Sequence, residues 1–431
     1  MNKINVGLIG FGTIGCGVVK VLQQKAKILE KKLGLSINLA CVCDLDIESD
    51  RGIDIDKTML TTDVQKILNN EQIQIVVELI GGIHPAKEFI LQALRNKKYV
   101  VTANKALLAE EGSEIFAAAK ANEVDVYYEA SVGGAIPIIR TLRDGLIADR
   151  IESVYGIING TSNYILSQMA QKGCDFKIAL REAQKKGYAE SDPTLDINGV
   201  DSAHKIAILA RLSFGHEVNF KDVYVEGIEN IDLCDIRYAA EMGYCIKLLA
   251  IAKKIEGSVQ LRVHPTLLPK KHLLANVNGV SNAILLRSDF VGEQMLHGPG
   301  AGQLPTASAV VSDIVSIAQK LQVASSQKTA LLNISSDLIQ VSSMDNIETR
   351  YYFRFSALDE PAVLSQIAAV LGKNNISIYS VIQKGRRQEQ SVHVVMMTHD
   401  AKEKDISQAL LEINALPVIK KKSVAIRTER I

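Results

Sequence analysis

The sequence predicts an α/β protein in three parts: a doubly wound parallel sheet, an α+β segment after it, and a ferredoxin-like carboxyl-terminal domain. Three observations carry this prediction. A glycine-rich turn, Gly10-Phe11-Gly12-Thr13-Ile14-Gly15, stands between an apolar run and a helical pattern near the amino terminus. Short apolar runs then alternate with helical patterns as far as Pro137, as a parallel sheet with crossover helices requires. Residues 350–431 read strand, helix, strand, strand, helix, strand, the β-α-β-β-α-β order.

Residues 4–9 are a short apolar strand. Val18, Val19 and Leu22 then recur at helical spacing among Lys20, Gln23, Gln24 and Lys25, in a helix reaching about Lys32. In that context G-x-G-x-x-G predicts a Rossmann-type dinucleotide-binding domain. Gly10 makes the tight turn, Gly12 lets a pyrophosphate approach the backbone, and Gly15 allows close helix–strand packing; the helix N-terminus attracts the anion. Leu35 to Cys43 is the second strand, with Asp44 at its end to meet an adenosine ribose. The fingerprint places that acid about 20 residues on; the long first helix delays it. Arg51 stands near enough in sequence to meet a 2′-phosphate, so NAD and NADP both stay open.

Ile73 to Ile80 is nearly continuous in apolar residues, which suits a strand buried on both faces, and it ends in Gly81-Gly82. A helix over Pro85–Asn96 and a strand over Tyr99–Thr102 lead to Ala103-Asn104-Lys105. Lys105 falls just past the carboxyl edge of the sheet, where ligands sit in such folds; a solvated lysine at a helix start fits equally well. Val124 to Ala130 is read as the next strand, running into Ser131–Pro137.

Beyond Pro137 the pattern changes. Ile138–Leu146 is helical and Ile151–Ile158 alternates like a strand. Asn159-Gly160-Thr161-Ser162-Asn163-Tyr164 is either a hydroxyl-binding turn or an ordinary helix cap. A helix over Phe176–Lys186 delivers the most polar loop in the chain, Gly187 to Lys205, which holds Glu190, Asp192, Asp196, Asp201 and Lys205. Asp201 and Lys205 are four apart and share a helix face. They are an exposed ion pair of little consequence, or an acid-lined wall with a lysine proton donor. His204 points to another face and reads as a packed or surface histidine; Asp192 reads as a loop or helix-capping residue. Strands follow around Ile255–Pro265 and Asn282–Leu286. The bend His297-Gly298-Pro299-Gly300-Ala301-Gly302 precedes a helix from about Thr306 to Leu321, and is either a second nucleotide contact or a hinge.

The composition excludes several classes. The 431 residues suffice for two or three domains. A net charge of +1, 5% aromatics and no Trp argue against a nucleic-acid surface. The amino terminus lacks the long apolar run of a signal peptide, and no segment is apolar enough to span a membrane. Six scattered cysteines without a Cys-x-x-Cys suit core thiols in a reducing cytoplasm. The dinucleotide fold and the polar loop together imply hydride transfer at a carbonyl or alcohol carbon.

GFGTIG, VVELIGG, TANKALLA, NGTSNYIL, GYAESDPTLDINGVDSAHK and GPGAGQLPTASAVVSDI together resemble the homoserine dehydrogenase family, of the monofunctional type with a carboxyl-terminal ACT domain, over essentially the whole chain. The resemblance implies NADP- or NAD-dependent interconversion of L-aspartate 4-semialdehyde and L-homoserine, on the route to threonine, methionine and isoleucine. It implies Lys205 as proton donor and Lys105 as a second catalytic lysine. Glu190 and Asp201 match substrate ligands, and Asp196 adds to the ammonium site. Phe11, Thr13, Ile14, Thr102, Gly187 and Gly302 match cofactor contacts, beside Gly10, Gly12, Gly15, Asp44 and Lys105. A structural sodium ion is implied at the Glu129 carboxylate and the backbone carbonyls of Val132, Gly134 and Ile136. The implied domains are dinucleotide-binding over 1–136 (rejoined by a helix at about 303–322), catalytic and dimerisation over 137–302, a linker over 323–349 and ACT over 350–431. The implied assembly is a homodimer or homotetramer, with threonine as an effector. Three departures stand out: Cys43 replaces the arginine that often precedes Asp44, which raises NAD unless Arg51 compensates; His297 stands before the glycine loop at a position that is often aromatic; and Ala362 replaces a glycine of the ACT pattern. Rival readings are a dehydrogenase for another semialdehyde or amino acid, and a silent amino-acid sensor; the second requires loss of Lys205, Lys105 or the phosphate glycines, and all are present.

Overall fold

The computed structural model describes residues 3–323, 334–383 and 391–431. The chain begins with β1 (Lys3–Ile9), α1 (Thr13–Leu33), β2 (Ser36–Cys43), β3 (Leu60–Thr61) and β4 (Ile75–Glu78). Next come α2 (Ala86–Arg95), β5 (Tyr99–Thr102), α3 (Lys105–Glu110), α4 (Gly112–Ala121), β6 (Val126–Tyr127) and β7 (Ile151–Ile157). The middle holds α5 (Gly160–Lys172), α6 (Phe176–Lys185), α7 (Val200–Phe214), β8 (His216–Glu217), β9 (Tyr224–Val225) and α8 (Leu233–Glu241). It continues through β10 (Tyr244–Ile255), β11 (Ser258–Pro269), β12 (Ser281–Ser288), β13 (Gly292–Pro299) and α9 (Gln303–Val323). The last part has β14 (Ser335–Leu338), β15 (Glu348–Thr349), β16 (Tyr351–Leu358), α10 (Val363–Lys373) and β17 (Ile378–Gln383), then β18 (Ser391–Thr398), β19 (Ala401–Lys402), α11 (Glu403–Asn414) and β20 (Ile419–Thr428).

Two compact units form. One comprises Met1–Ile158, His204–Asp222 and Ser281–Ile339; the other comprises Asn159–Ala203, Val223–Val280 and Gln340–Ile431.

In the first unit a parallel sheet runs in the order β3-β2-β1-β4-β5-β6. Every residue of β4 and β5 is buried, as expected of strands covered on both faces. The strand order reverses between β1 and β4, so the loops after these strands flank the topological switch point. α9 packs on α1, and a Cβ at Gly17 would lie 2.9 Å from the Gln303 carbonyl and 3.0 Å from the Ala307 Cβ. A glycine outside the fingerprint thus sets that helix contact. β7, β12 and β13 form an antiparallel group in the same unit.

The strand expected over Val124–Ala130 is shorter than the sequence suggests. Only Val126–Tyr127 pairs, and Glu129–Ser131 winds into a 3₁₀ turn. The Glu129 amide donates to Asp313, and its carboxylate accepts the Ile139 and Arg140 amides, so the residue leaves the ladder. The helix expected over Ile138–Leu146 is likewise irregular: after Ile138–Arg140 it widens to a π turn over Thr141–Gly145.

In the second unit the long hairpin β10–β11 turns at Gly257, whose φ is +69°. The first of these strands escaped the sequence reading because a continuous apolar run does not separate strand from helix. The carboxyl-terminal segment has the predicted β-α-β-β-α-β order, with strands in the order β20-β16-β18-β17. Its core is Tyr351, Phe353, Phe355, Ile367, Leu371 and Met396, among others. This sheet does not stop at its own edge: β20 pairs in parallel with β11 through Thr266–Arg427 and Leu267–Thr428. Buried charges cross the same join. Arg354 binds Asp235 and Asp232, which cap α8, and Arg427 binds Glu226 and Glu403.

The stretch read as a linker, 323–349, is anchored where it is described. β14 pairs with β8, and Gln340 and Ser342 hydrogen-bond Val259. Residues 324–333 of that stretch lie outside the described residues. Among the described residues no helix is long and apolar enough to cross a membrane.

Candidate active site

The glycine turn after β1 has the geometry its sequence demands. Gly10 has φ +100°, and a Cβ there would meet the Leu79 backbone at 2.7 Å. A Cβ at Gly15 would lie 2.1 Å from the Gly10 carbonyl oxygen. Gly12 is different: a Cβ there meets nothing within 4 Å, so open space lies above the loop. Gly12 is also the N-cap of α1, with no side-chain cap and no acid in the first turn. The first amides of a 21-residue helix therefore face an open, uncapped end, which suits a dinucleotide pyrophosphate. Thr13 is exposed there and Ile14 half-buried.

Two residues expected at the cofactor are held within the protein by their side chains or amides. Phe11 is buried, its amide donates to Asp44 Oδ2 at 2.5 Å, and the Arg51 guanidinium lies 5.5 Å from its ring centre. Thr102 is fully buried, and its hydroxyl donates to Glu78 Oε2 at 2.7 Å. Both side chains are buried, and the two residues' hydrogen bonds fix the loops after β1 and β5. Asp44 stands at the end of β2 as expected, but it first anchors the glycine turn through Phe11 and receives Arg51 at 3.4 Å.

Glu78 is the residue that sequence reasoning missed on this side, because it sits inside an apolar run. It is fully buried and accepts from the Ile80 amide at 2.8 Å, the Gly81 amide at 3.3 Å and Thr102. Burial pushes its carboxyl above the usual range, against those hydrogen bonds. Asn104 extends the network: its Nδ2 donates to the Gly82 carbonyl at 2.6 Å, and its Oδ1 caps α3 through the Leu107 amide. Lys105 is the first residue of that capped helix and is half-buried. Asn104 thus ties the start of the Lys105 helix to the glycine pair after β4.

Burial bears on one of the two readings of Lys205. Lys205 is 8% exposed and Asp201 4%, one turn apart on α7, so they are not a solvated surface pair. Lys205 Nζ donates to the Ile158 carbonyl at 2.7 Å. His204 is packed, as its position implies: it stacks on Phe220 at 4.5 Å and meets Glu110 at 3.0 Å. Glu110 is the last residue of α3, so this contact joins the helix that starts with Lys105 to the helix that carries Lys205.

In the second unit the polar loop is pinned at defined points. Gly187 has φ +72° and open space around it. Gln184 holds the Glu190 and Ser191 carbonyls, leaving the Glu190 residue exposed. Asp192 accepts from the Thr194 amide and hydroxyl across Pro193, a local loop contact. Asn159 caps α5 by accepting the Ser162 amide at 2.8 Å, so the plain reading of NGTSNYIL holds. Its Nδ2 also donates to Asp196 Oδ1 at 2.7 Å and Asp201 Oδ2 at 2.8 Å. That bridge spans 37 and 42 residues, and no local pattern announces it.

Behind α5, Lys247 is 3% exposed, and its ammonium donates to the Val277 carbonyl, Asn278 Oδ1 and Asn163 Oδ1 at 2.5–3.1 Å. These partners are neutral, and burial holds its pKa down, to about 8. The folded state therefore prefers the amine, and this group's contribution to stability is lost as pH falls through about 8. Relative to Lys247→Met, the wild type is expected to gain on the order of 3 kcal/mol as pH rises from about 8 to about 10.5. Urea unfolding of both proteins across that range checks it; a pH-independent difference rejects it.

The expected metal ligands sit in the turn after β6. Gly133 and Gly134 have φ of +69° and +57°, a left-handed turn that only glycine adopts readily, between Val132 and Ile136. The Glu129 oxygens each accept one amide and the Ile136 carbonyl accepts the Ile138 amide, so each keeps a lone pair. Burial raises the Glu129 carboxyl. An all-oxygen donor set fits a hard cation. At the glycine bend before α9, His297–Pro299 close β13, and Ala301 and Gly302 (φ +124°) are exposed at the helix start. Gly300 is required for packing: a Cβ there would lie 2.1 Å from Asn282.

A parallel sheet with an open glycine turn at its switch point, a half-buried lysine at the end of one of its loops and a buried lysine on α7 suits a nicotinamide-dependent oxidoreductase. Comparison with known proteins narrows the class. The family pattern described as homoserine dehydrogenase, NAD binding domain, matches residues 10–129; that described as homoserine dehydrogenase matches 137–315; the ACT domain pattern matches 351–418. The chain is similar to a homoserine dehydrogenase of Neisseria gonorrhoeae, 46% identical over 100% of this chain and 99% of that one. It is also similar to one of Pseudomonas aeruginosa, 41% identical over 100% of both. Among solved structures, a homoserine dehydrogenase from Thiobacillus denitrificans superposes with a TM-score of 0.92 at 43% identity, covering 100% of this chain and 99% of that one. A hyperthermophilic archaeal homoserine dehydrogenase in complex with NADPH superposes with a TM-score of 0.61 at 27% identity, covering 77% of this chain and 100% of that one. The chain belongs to the homoserine dehydrogenase family, whose members are NAD(P)-dependent oxidoreductases, and carries its NAD-binding, catalytic and ACT domains.

Proposed function

We propose that the protein interconverts L-aspartate 4-semialdehyde and L-homoserine with NADP or NAD, with Lys205 moving the proton. The observation that carries this is the burial of Lys205 one turn from buried Asp201, with its ammonium held by the Ile158 carbonyl. The nicotinamide supplies the hydride to the aldehyde carbon in reduction and accepts it from the alcohol carbon in oxidation. In reduction, charged Lys205 gives one proton to the carbonyl oxygen; in oxidation, the neutral amine takes the hydroxyl proton. Lys105 acts beside it as a second cation at the reacting oxygen. Glu190, Asp196 and Asp201 hold the substrate, the carboxylates matching its ammonium. Gly10, Gly12, Gly15, Thr13, Ile14, Gly187 and Gly302 line the cofactor, with Asp44 at the ribose. Arg51, whose Nε is buried without a hydrogen-bond partner, supports use of the 2′-phosphate of NADP despite Cys43.

Residues 1–136 serve the dinucleotide, 137–302 the substrate and 350–431 an amino-acid effector, with threonine as the candidate. Glu129 with the carbonyls of Val132, Gly134 and Ile136 holds a sodium ion. Ala362 occupies the left-handed region (φ +69°) that the family's glycine would fill, so the backbone shape is kept although the side chain differs. The six free cysteines support a cytoplasmic setting, and the family supports a homodimer or homotetramer.

The test is oxidation of L-homoserine at alkaline pH with NAD and with NADP, each with and without millimolar threonine. Turnover with homoserine is expected, and inhibition by threonine. Absence of turnover with both cofactors overturns the substrate; activity indifferent to threonine overturns the effector alone.

A further inference from the structure

We propose that Asn159 is a positioning residue for substrate binding: its amide gathers Asp196 and Asp201 into a preformed pair. This rests on the reading of those aspartates as substrate ligands. One Nδ2 donates to both carboxylates, at 2.7 and 2.8 Å, so the two acceptor oxygens lie no farther apart than the sum of those distances. The amide cannot turn over without loss, because its Oδ1 accepts the Ser162 amide that caps α5. The N–H face is therefore always presented to the acids. Asp201 and Asn159 are buried, at 4% and 5% exposed.

Two like charges held this close repel each other, and an amide lowers that cost less than a cation does. The pair therefore favours positive groups beside it: Lys205 is one turn along the helix from Asp201, and the ammonium of an α-amino acid would be another. The Asp196 main chain is fixed as well, because Ser162 Oγ donates to its carbonyl at 2.8 Å. The start of α5 therefore sets both the side chain and the backbone of the acid loop. The sequence Ile158-Asn159 is dense in function: the first residue's carbonyl receives Lys205, and the second's side chain receives the aspartates.

Asn159→Ser separates capping from bridging. Serine caps a helix about as well as asparagine, but is too short to reach both carboxylates. Asn159→Ala loses both roles. Homoserine KM, kcat, the KM for each cofactor and the unfolding midpoint are measured for the three proteins. The expected result is a homoserine KM raised about 10- to 100-fold in both variants, with cofactor KM unchanged and the midpoint lowered only in Asn159→Ala. An Asn159→Ser enzyme with wild-type KM and kcat overturns the inference, and so does a KM that changes only in step with the midpoint. A wild type inactive on homoserine overturns the functional reading and this inference together; an active wild type with an unaltered serine variant overturns this inference alone.

Discussion

Lys205→Ala is expected to lower kcat for homoserine oxidation by about two to four orders of magnitude, with cofactor affinity and the unfolding midpoint preserved. Removal of a buried ammonium does not open a fault in the core. It frees the Ile158 carbonyl that accepts from Nζ and relieves the desolvation of a charge. The loss is therefore chemical. NADPH fluorescence gives the binding readout without interference, since the chain has no Trp. A variant that keeps more than about a tenth of wild-type turnover is incompatible with proton transfer by this residue. Lys205→Arg sharpens the result: it keeps a cation, but a guanidinium does not deprotonate at working pH, so oxidation stays slow.

Gly15→Ala and Gly12→Ala are expected to fail differently. At Gly15 the new methyl meets a carbonyl oxygen at 2.1 Å and its carbon at 3.1 Å, both backbone, so the turn itself must shift. Overpacking of this kind costs about 1–3 kcal/mol or more, and the displaced turn no longer receives the pyrophosphate. At Gly12 the methyl meets no protein atom within 4 Å. That variant is expected to keep the wild-type unfolding midpoint and to lose NADPH affinity, because the methyl occupies the space left for the ligand. Unfolding curves and NADPH titrations of both proteins separate the two. A stable, NADPH-binding Gly15→Ala protein refutes the packing argument, and a Gly12→Ala protein of normal affinity refutes the placement of the pyrophosphate.

These cases show what kind of information a sequence exposes. The glycine turn was legible because its demands are met by backbone neighbours within the motif and by the strand and helix flanking it. The ferredoxin-like order was legible because its strands alternate and its helices are punctuated. Lys205 and Asp201 were legible as a pair from their spacing, but their burial was not, and burial is what excludes the surface reading. Glu78 was hidden because a carboxylate inside an apolar strand gives no hint of the Thr102, Ile80 and Gly81 donors that gather round it. Asn159 showed only its local role; its second role depends on two aspartates far along the chain. Glu129 ended a strand early for the same reason, because its partners Ile139, Arg140 and Asp313 are contributed from later elements. Short-range steric demands are written in the local string, whereas hydrogen bonds between distant segments are not.

The join between β11 and β20 bears on how such proteins can be recombined. A regulatory domain hung on a flexible tether can be cut off or exchanged with little harm. Here its removal would strip a neighbour from β11 and leave Asp235 and Glu226 without the arginines that neutralise them. A chimera that swaps residues 350–431 would have to bring equivalents of Arg354, Arg427 and the last strand with it. The ACT domain is grafted at the level of backbone and charge, so it is inherited together with its scaffold.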